Sequence, residues 1–280
     1  MTTTSDLVTS EFVQHGAYRT HVSRAGSGPD VLLLHGSGPG VSALANWAMT
    51  MSSELAEHFT LIAPDIAGFG QTEVEGDLPV RQSDRIAHIA DLLGALGLRD
   101  VRVVGNSMGG GIALGLASKH PDLVSRLVLM GSSGVSFPLT PEIDELYGYE
   151  PSVPAMRRIF ELMAYDTSGV SDELIEMRYE ASKDPAVYEP YAAMFAAPRQ
   201  RHIDDQALGD AELAKIDVPT LCIHGVFDRI VPIDVTSLHL VRVMPNADLL
   251  ALGRCGHWSQ VERADTFRRA VREFFETPAP

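Results

Sequence analysis

One serine stands in the setting of a catalytic nucleophile. The stretch GNSMG, residues 105–109, fits the pattern G-x-S-x-G and lies between an apolar run at 101–104 and a helix-like run at 111–120. A strand that turns sharply into a helix exposes a serine hydroxyl and points the helix N-terminus at the reacting atom. We expect strained backbone angles at Ser107 and predict that it is the nucleophile. The alternative is a structural glycine-rich turn.

A serine needs a base, and the base needs an acid that orients it. In hydrolases built around G-x-S-x-G, the order along the chain is serine, acid, histidine. Asp228 follows an apolar run at 220–223, and His257 follows a run at 248–251 in the stretch GRCGHW. We therefore predict a triad in which His257 takes the serine proton, while Asp228 fixes the histidine tautomer and stabilises the imidazolium.

Other polar residues compete for these two roles. Asp234 is a second acid after the same apolar run, but it lies beyond Pro232 and has the setting of a helix N-cap. His35 and His224 also follow apolar runs, yet one precedes the serine and the other precedes the acid. We expect His224 to form structural hydrogen bonds and His35 to support the loop that follows it.

The loop HGSGPG, residues 35–40, follows an apolar run at 31–34. Its glycines allow the backbone to approach a ligand closely. An oxyanion needs two N–H donors, and we predict that Ser37 and Met108 supply them. Dinucleotide binding and a P-loop are excluded, because the valine at 41 breaks G-x-G-x-x-G and no G-K-[ST] occurs.

An alternating pattern of strands and helices must position these residues. Short apolar runs bounded by glycine, proline or aspartate are typical of buried parallel strands, and they occur at 31–34, 61–63, 101–104, 127–130, 220–223 and 248–251. Ile86, Ile89 and Leu93 recur at helical spacing, and Gly97 is placed to stop that helix. The chain closes on a helix through Phe267, Val271 and Phe274. The pattern predicts an α/β fold with a mostly parallel, doubly wound sheet flanked by helices.

The alternation stops between residues 137 and 214. This segment shows helical stretches at 156–164 and 171–180, with Ser171 as a plausible helix start, and no convincing strand. We expect a helical lid insertion at 137–214, carried by a core α/β domain made of residues 1–136 and 215–280. The alternative is an extra pair of packing helices.

Composition narrows the class of protein. The 280 residues carry a formal net charge of −15, which argues against a nucleic-acid surface and against binding to anionic membranes. The start of the sequence lacks the pattern of a secretory signal, and no apolar run is long enough to span a bilayer. Two cysteines without zinc-site spacing favour a reduced, cytoplasmic protein. With no metal cluster and no nucleotide motif, we expect no cofactor.

Three motifs together resemble one family. The HGSGPG loop that ends in ANW, the GNSMGG turn and the GRCGHW loop look like those of the meta-cleavage product hydrolases. With serine at its third position, the HGSGPG loop is similar to that of the branch of the family that acts on monocyclic ring-fission products. The resemblance spans nearly the whole chain, including 179–182 and 194–201 of the insertion. It implies an α/β-hydrolase fold, a homo-oligomer, and hydrolysis of the C5–C6 bond of a 2-hydroxy-6-oxo-2,4-dienoate.

The resemblance also implies which residues meet the substrate. Arg178 would face the carboxylate and 2-oxo end, as a planar bidentate donor suits a carboxylate. Asn46 and Asn106 would meet the same end, and Trp258 would line the pocket. Met163 stands where relatives tend to have phenylalanine. The residues assigned to substrate binding are therefore Asn46, Asn106, Arg178, Trp258, Gly36, Gly38 and Met163.

Simpler structural roles remain open for three of these residues. Arg178 would also suit the surface of a helix, Asn46 would suit a helix N-cap, and Trp258 would suit the core. The reaction itself has two open routes, an acyl-enzyme on Ser107 or direct hydration by water activated at the triad. Two other functions are an ester or lactone hydrolase with the same triad and a non-catalytic small-molecule receptor.

Overall fold

A computed structural model describes residues 8–78 and 81–277. Residues 1–7 lie outside the described residues, and they include part of the stretch for which we predict no secretory signal. The strands are β1 Val8–His15, β2 Tyr18–Ala25, β3 Asp30–Leu34, β4 Thr60–Pro64, β5 Glu73–Val74, β6 Val101–Asn106, β7 Val124–Met130, β8 Thr220–Gly225 and β9 Ala247–Leu252. The helices outside the segment 137–214 are α1 Ala43–Met51, α2 Gln82–Ala95, α3 Met108–Lys119, α10 Ser237–Val243, α11 Ser259–Glu262 and α12 Ala264–Glu276.

One twisted sheet runs through the molecule in the order β1-β2-β4-β3-β6-β7-β8-β9, and β5 pairs with β2. The pairs from β4 and β3 through β6, β7 and β8 to β9 are all parallel. The pairs β1–β2, β2–β4 and β2–β5 are antiparallel. The predicted mostly parallel sheet is confirmed, and its parallel strands end on one edge where their loops meet.

All six predicted strands are present, each extended by one to three residues. Sequence reasoning missed the antiparallel hairpin β1–β2 and the short β5. Most residues of β1 are exposed, so β1 shows no continuous apolar run. A half-buried edge strand carries only an alternating signal, which is weaker than that of a buried parallel strand.

Both faces of the sheet are covered by helices because successive strand residues point to opposite sides. Val103 and Leu127 pack with α2 and α3 in one apolar cluster, whereas their neighbours Val104 and Val128 pack with α1 and α12 in the other. Gly97 lies just beyond α2, as predicted. In the last helix the fully buried side chains are Phe267, Val271 and Phe275, while Phe274 is only partly buried.

The segment 137–214, called the insertion below, is helical and contains no strand in the structure. Its helices are α4 Pro141–Tyr147, α5 Val153–Met163, α6 Asp172–Lys183, α7 Pro185–Met194, α8 Gln200–Asp205 and α9 Asp210–Leu213. Ser171 caps α6, since its hydroxyl accepts the Leu174 N–H at 3.2 Å, and this predicted helix start is confirmed. The division of the chain into core domain and insertion stays a prediction.

Candidate active site

Ser107 sits at a strained turn between β6 and α3. Its backbone has φ 53° and ψ −118°, a region that residues with side chains avoid, and the expected strain is confirmed. The turn is as sharp as it is because Gly109 packs directly against β3. A Cβ at Gly109 would lie 2.3 Å from the Leu34 carbonyl oxygen, so only glycine fits there.

Hydrogen bonds to neighbouring backbone fix this turn. The Ser107 N–H donates to the Met130 carbonyl of β7 at 3.0 Å, and the Ser107 carbonyl accepts the N–H groups of Gly110 and Ser133. Helix α3 begins at Met108, so the Met108 N–H belongs to the first turn, whose donors have no acceptor within the helix. That N–H is therefore available to an oxyanion beside Ser107.

Asp228 and His257 form a buried pair. His257 Nδ1 lies 2.7 Å from Asp228 Oδ2, and the other carboxylate oxygen accepts the N–H groups of Ile230 and Val231, both at 2.9 Å. Burial alone would raise the pKa of Asp228, but the histidines His257 and His224 outweigh it and hold that pKa below its ordinary value. The carboxylate is therefore charged and can orient the Nδ1–H tautomer of the base.

Of the two competing residues, Asp234 takes no part in this pair, whereas His224 contacts it, with Nε2 3.2 Å from Asp228 Oδ2. Asp234 is exposed, and the N-cap of the nearby α10 is Thr236, so the prediction that Asp234 caps a helix is wrong. The helix starts two residues later because the intervening residues form a turn after Pro232. His224 is fully buried, with Nδ1 2.7 Å from Ser237 Oγ and Nε2 2.8 Å from the Val231 carbonyl, as expected of a structural histidine.

Sequence reasoning missed one residue that lies beside Asp228 and His257. Gly131 follows β7 with φ +48°, and a Cβ there would lie 3.0 Å from both Asp228 Oδ2 and His257 Nδ1. A side chain would therefore crowd the hydrogen bond between acid and base. The only sequence signal was a glycine directly after a buried strand, and such a glycine also fits an ordinary turn.

The HGSGPG loop is supported from beneath by two buried side chains. His35 Nε2 accepts the Ile66 N–H at 2.9 Å, and burial lowers the pKa of His35, which keeps the ring neutral. Asp65, also buried, accepts the Ala43 N–H at 2.6 Å, at the start of α1. These bonds tie both ends of the loop to the residues after β4, and Gly36 lies against the turn of the nucleophile, since a Cβ there would be 3.1 Å from Ser107 Cβ.

One cavity joins the HGSGPG loop, Ser107, His257 and the insertion. Ser107 and His257 reach it from the sheet, and helix α5 forms an apolar wall opposite them. Its lining comprises Gly36, Ser37, Gly38, Pro39, Val41, Asn46, Asn106, Ser107, Met156, Ile159, Phe160, Met163, Arg178, His257 and Trp258. Every residue assigned to substrate binding from the sequence therefore faces this cavity.

The polar residues of the cavity differ in how their hydrogen bonds are satisfied. Asn46 lies within α1, whose N-cap is Ser42, so the alternative N-cap role of Asn46 is wrong. Ser42 fits that role better because its hydroxyl accepts the Ala45 N–H. The Asn46 Nδ2 is buried without a partner in the described chain, whereas Asn106 Nδ2 donates to the Met130 carbonyl at 3.2 Å.

Arg178 is the cationic group of the cavity. Its recorded hydrogen bond goes to the Pro39 carbonyl at 3.5 Å, and within residues 8–78 and 81–277 no carboxylate lies at ion-pair distance from it. Burial lowers its pKa, but a guanidinium stays charged at neutral pH. A half-buried cation without a counter-ion is costly, so it favours an anionic ligand.

The apolar wall of the cavity was missed from the sequence except for Met163 and Trp258. Met156, Ile159 and Phe160 lie on α5 together with Met163, and Phe160 meets Trp258 edge to face at 5.2 Å between ring centroids. The signal was present as apolar residues at helical spacing. Such spacing marks a buried face without telling whether that face meets the core or a ligand.

Other chemistries find little support in the described part of the chain. Burial raises the pKa of the Cys255 thiol, two residues before the base, to about 12, so no thiolate competes with Ser107. Among residues 8–78 and 81–277, no group of three histidine, cysteine or acidic side chains could hold a metal ion. None of the helices described there is long and apolar enough to cross a membrane.

Comparison with known proteins agrees with this geometry. The model of the alpha/beta hydrolase fold family matches residues 29–264, which defines the class of the chain. The 2-hydroxymuconate semialdehyde hydrolase of Pseudomonas sp. strain CF600 is 46% identical over 256 residues, covering 91% of this chain and 90% of the relative. The 2-hydroxy-6-oxo-2,4-heptadienoate hydrolase of Pseudomonas putida is 47% identical, covering 92% and 93%.

A solved structure shows the same likeness in three dimensions. The meta-cleavage product hydrolase of Pseudomonas fluorescens IP01 superposes with a TM-score of 0.92 at 40% identity, covering 95% of this chain and 97% of that one. The chain therefore belongs to the meta-cleavage product hydrolases, within the α/β-hydrolase family. The predicted family is confirmed.

Proposed function

We propose that this protein hydrolyses the C5–C6 carbon–carbon bond of 2-hydroxy-6-oxo-2,4-dienoates, releasing 2-hydroxypenta-2,4-dienoate and a carboxylic acid. The observation that carries the proposal is Arg178, a cation without a carboxylate partner in the described chain that shares one cavity with Ser107 and His257. A simple esterase needs the serine and the histidine but has no use for that guanidinium. The names of the relatives point to the same substrate class.

The substrate carboxylate and 2-oxygen would bind Arg178, with the unpartnered Asn46 Nδ2 as a second donor. This end of the molecule is where negative charge accumulates when the C5–C6 bond breaks. Protonation at C5 first converts the dienol into its keto form, so that the later cleavage releases a stabilised dienolate. His257 mediates this proton movement, because its Nδ1 is bound to Asp228 and its Nε2 remains for the substrate.

The C6 carbonyl would then lie between the N–H groups of Ser37 and Met108, which stabilise the oxyanion. Ser107 Oγ adds to C6 while its proton passes to His257, and collapse of the adduct breaks C5–C6 and leaves an acyl-enzyme. The proton held by His257 passes to the departing dienolate, which leaves as 2-hydroxypenta-2,4-dienoate. His257 is then neutral again and takes a proton from the water that attacks the acyl-enzyme, and return of that proton to Ser107 Oγ releases the carboxylic acid. The apolar wall on α5, from Met156 to Met163, would contact the C6 substituent.

An optical experiment tests the proposal. The yellow ring-fission products of several catechols are mixed with the protein, and the loss of visible absorbance is followed together with the carboxylic acid formed. We expect bleaching with one molecule of acid per molecule of dienoate, and none with Ser107→Ala. Hydrolysis of p-nitrophenyl acetate without any bleaching would identify an esterase, and binding without turnover would identify a receptor.

The same proposal includes the setting of the reaction. From the resemblance and the composition, the protein works in the cytoplasm as a homo-oligomer, on a small-molecule substrate and without a cofactor. The net charge of −15 is compatible with an anionic substrate because the cation of the cavity is local.

A further inference from the structure

Glu262 lies outside the triad, at the last residue of the short helix α11, and its carboxylate points back toward the loop of the base. Oε1 accepts the Gly256 N–H at 2.9 Å, and Oε2 accepts the Tyr165 N–H at 2.7 Å. One side chain therefore bonds to the loop of the base and to the insertion at the same time.

The loop around His257 is held from two sides. On the side of the sheet, the Cys255 carbonyl accepts the Phe227 N–H at 3.0 Å, and Gly225 at the end of β8 packs against Cys255 and Gly256. On the other side, the Gly256 N–H donates to Glu262 Oε1, and the His257 N–H donates to the Met163 carbonyl at 2.7 Å. The backbone N–H groups at the base are therefore bound by Glu262 and by the insertion, while Asp228 orients its ring.

The two segments that Glu262 joins are in direct contact. A Cβ at Gly256 would lie 2.6 Å from the Met163 carbonyl oxygen and 2.8 Å from the Tyr165 nitrogen. Met163 also lines the cavity from the other side, so a shift at this contact would move a pocket wall and the base together. Burial raises the pKa of Glu262, a desolvation cost that its N–H partners partly offset.

We propose that Glu262 is a positioning residue that clamps the His257 loop to the end of α5 and thereby sets the distance between the base and Ser107. The proposal rests on the proposed function only through the role of His257 as base. A carboxylate suits this place because its two oxygens accept from both segments, and all of its partners are donors. A misplacement of about 1 Å between reacting groups costs on the order of 10²-fold in rate.

The variant Glu262→Gln isolates this role. The amide keeps the size of the side chain but replaces one acceptor oxygen by an N–H₂ group, which faces a backbone N–H and cannot bond to it. Glu273→Gln is the matched control, since it makes the same change at an exposed position of α12. Glu262→Asp keeps the charge but is shorter, so it should reach only one of the two segments.

Two readouts are compared per active site: kcat and KM on the dienoate, and the rate at which a fluorophosphonate labels Ser107. For Glu262→Gln we expect both kcat and the labelling rate to fall by about 10²-fold, with KM changed by less than about threefold, because Arg178 is untouched. Glu262→Asp should lie between this variant and the wild type. Glu273→Gln should match the wild type.

Equal kcat and labelling rate in Glu262→Gln and Glu273→Gln would overturn the proposal, whatever their melting temperatures. If Glu262→Gln does not fold, Glu262→Asp takes its place, and wild-type rates in that variant would overturn the proposal equally. The labelling rate does not involve a dienoate. A wild-type protein that labels normally but bleaches no dienoate would contradict the proposed function and still leave Glu262 testable.

Discussion

Ser107, Asp228 and His257 each follow a strand of the sheet, whereas Arg178 and Met163 lie on helices of the insertion. The sheet-borne side holds its groups with short hydrogen bonds, such as the 2.7 Å contact between His257 and Asp228. Arg178 has one bond of 3.5 Å to a carbonyl. The sheet side is therefore built before a ligand arrives, while the insertion side leaves its polar groups for the ligand.

The paired side chains of the two sides also differ in how far they are exposed to solvent. On the insertion, the pairs Arg157–Asp172 and Arg158–Glu145 are exposed to solvent, and such pairs contribute little to stability. The pair on the sheet side, formed by His257 and the Asp228 carboxylate, is buried. We therefore expect that chemistry and selectivity can be separated by mutation, with the triad governing every reaction and the insertion governing which substrate reacts.

We expect the largest loss of activity from a substitution in the triad, on the sheet side. Asp228→Asn removes the charge that orients His257, and we expect kcat on every substrate to fall by about 10⁴-fold, as in other serine triads. The measurement is bleaching of the dienoate and release of p-nitrophenol from an ester. Asp234→Asn is the control and should behave as the wild type. An equal loss in both variants would refute the assignment of the acid.

A substitution on the insertion side should lower activity on the dienoate and leave activity on a simple ester nearly unchanged. Among the described residues that line the cavity, Arg178 is the only arginine or lysine, and we expect Arg178→Gln to lower kcat/KM on the dienoate by about 10²-fold or more. Hydrolysis of p-nitrophenyl acetate, which has no carboxylate, should change by less than about threefold. Arg157→Gln, at an exposed ion pair, is the control. Parallel losses on both substrates would remove the division between the two sides.

A smaller effect, which arises from His88, should appear in the pH dependence of the free energy of unfolding. Burial, with further effects from His15 and His35, lowers the pKa of His88 to about 3. Because this pKa lies below that of the unfolded chain, near 6.5, the contribution of His88 is complete above pH 6.5 and is lost as pH falls. The loss is about 2 kcal/mol at about pH 5, or roughly 30-fold in the folding equilibrium.

Urea unfolding at neutral pH and at about pH 5 measures this loss as a decrease in the free energy of unfolding. His88→Gln should lower stability at neutral pH, since the ring lies 2.8 Å from the Thr20 hydroxyl, but should make the protein less sensitive to acid. An unchanged pH dependence in His88→Gln would contradict the role of this histidine.

Most of the sheet could be predicted from the sequence because buried parallel strands are continuous apolar runs. The hairpin of β1 and β2 could not, since most of β1 is exposed and only the pairing of β2 with β4 makes the hairpin part of the sheet. The substrate-facing part of the site was reached through the resemblance rather than through spacing. Arg178 looks like any surface arginine until the structure shows its cavity and the lack of an acidic neighbour in the described chain.

The amino-acid sequence alone predicts the order of the strands along the chain, the strained turn at Ser107 and the loops that hold Asp228 and His257. Local rules suffice for these, because strand patterns and tight turns depend on neighbouring residues. The folded structure is needed to show that Asp228 rather than Asp234 meets His257, that α5 forms a cavity wall, and that Glu262 joins the loop of the base to the insertion. Each of these is a contact between residues distant in sequence, and such contacts follow from how helices and loops pack.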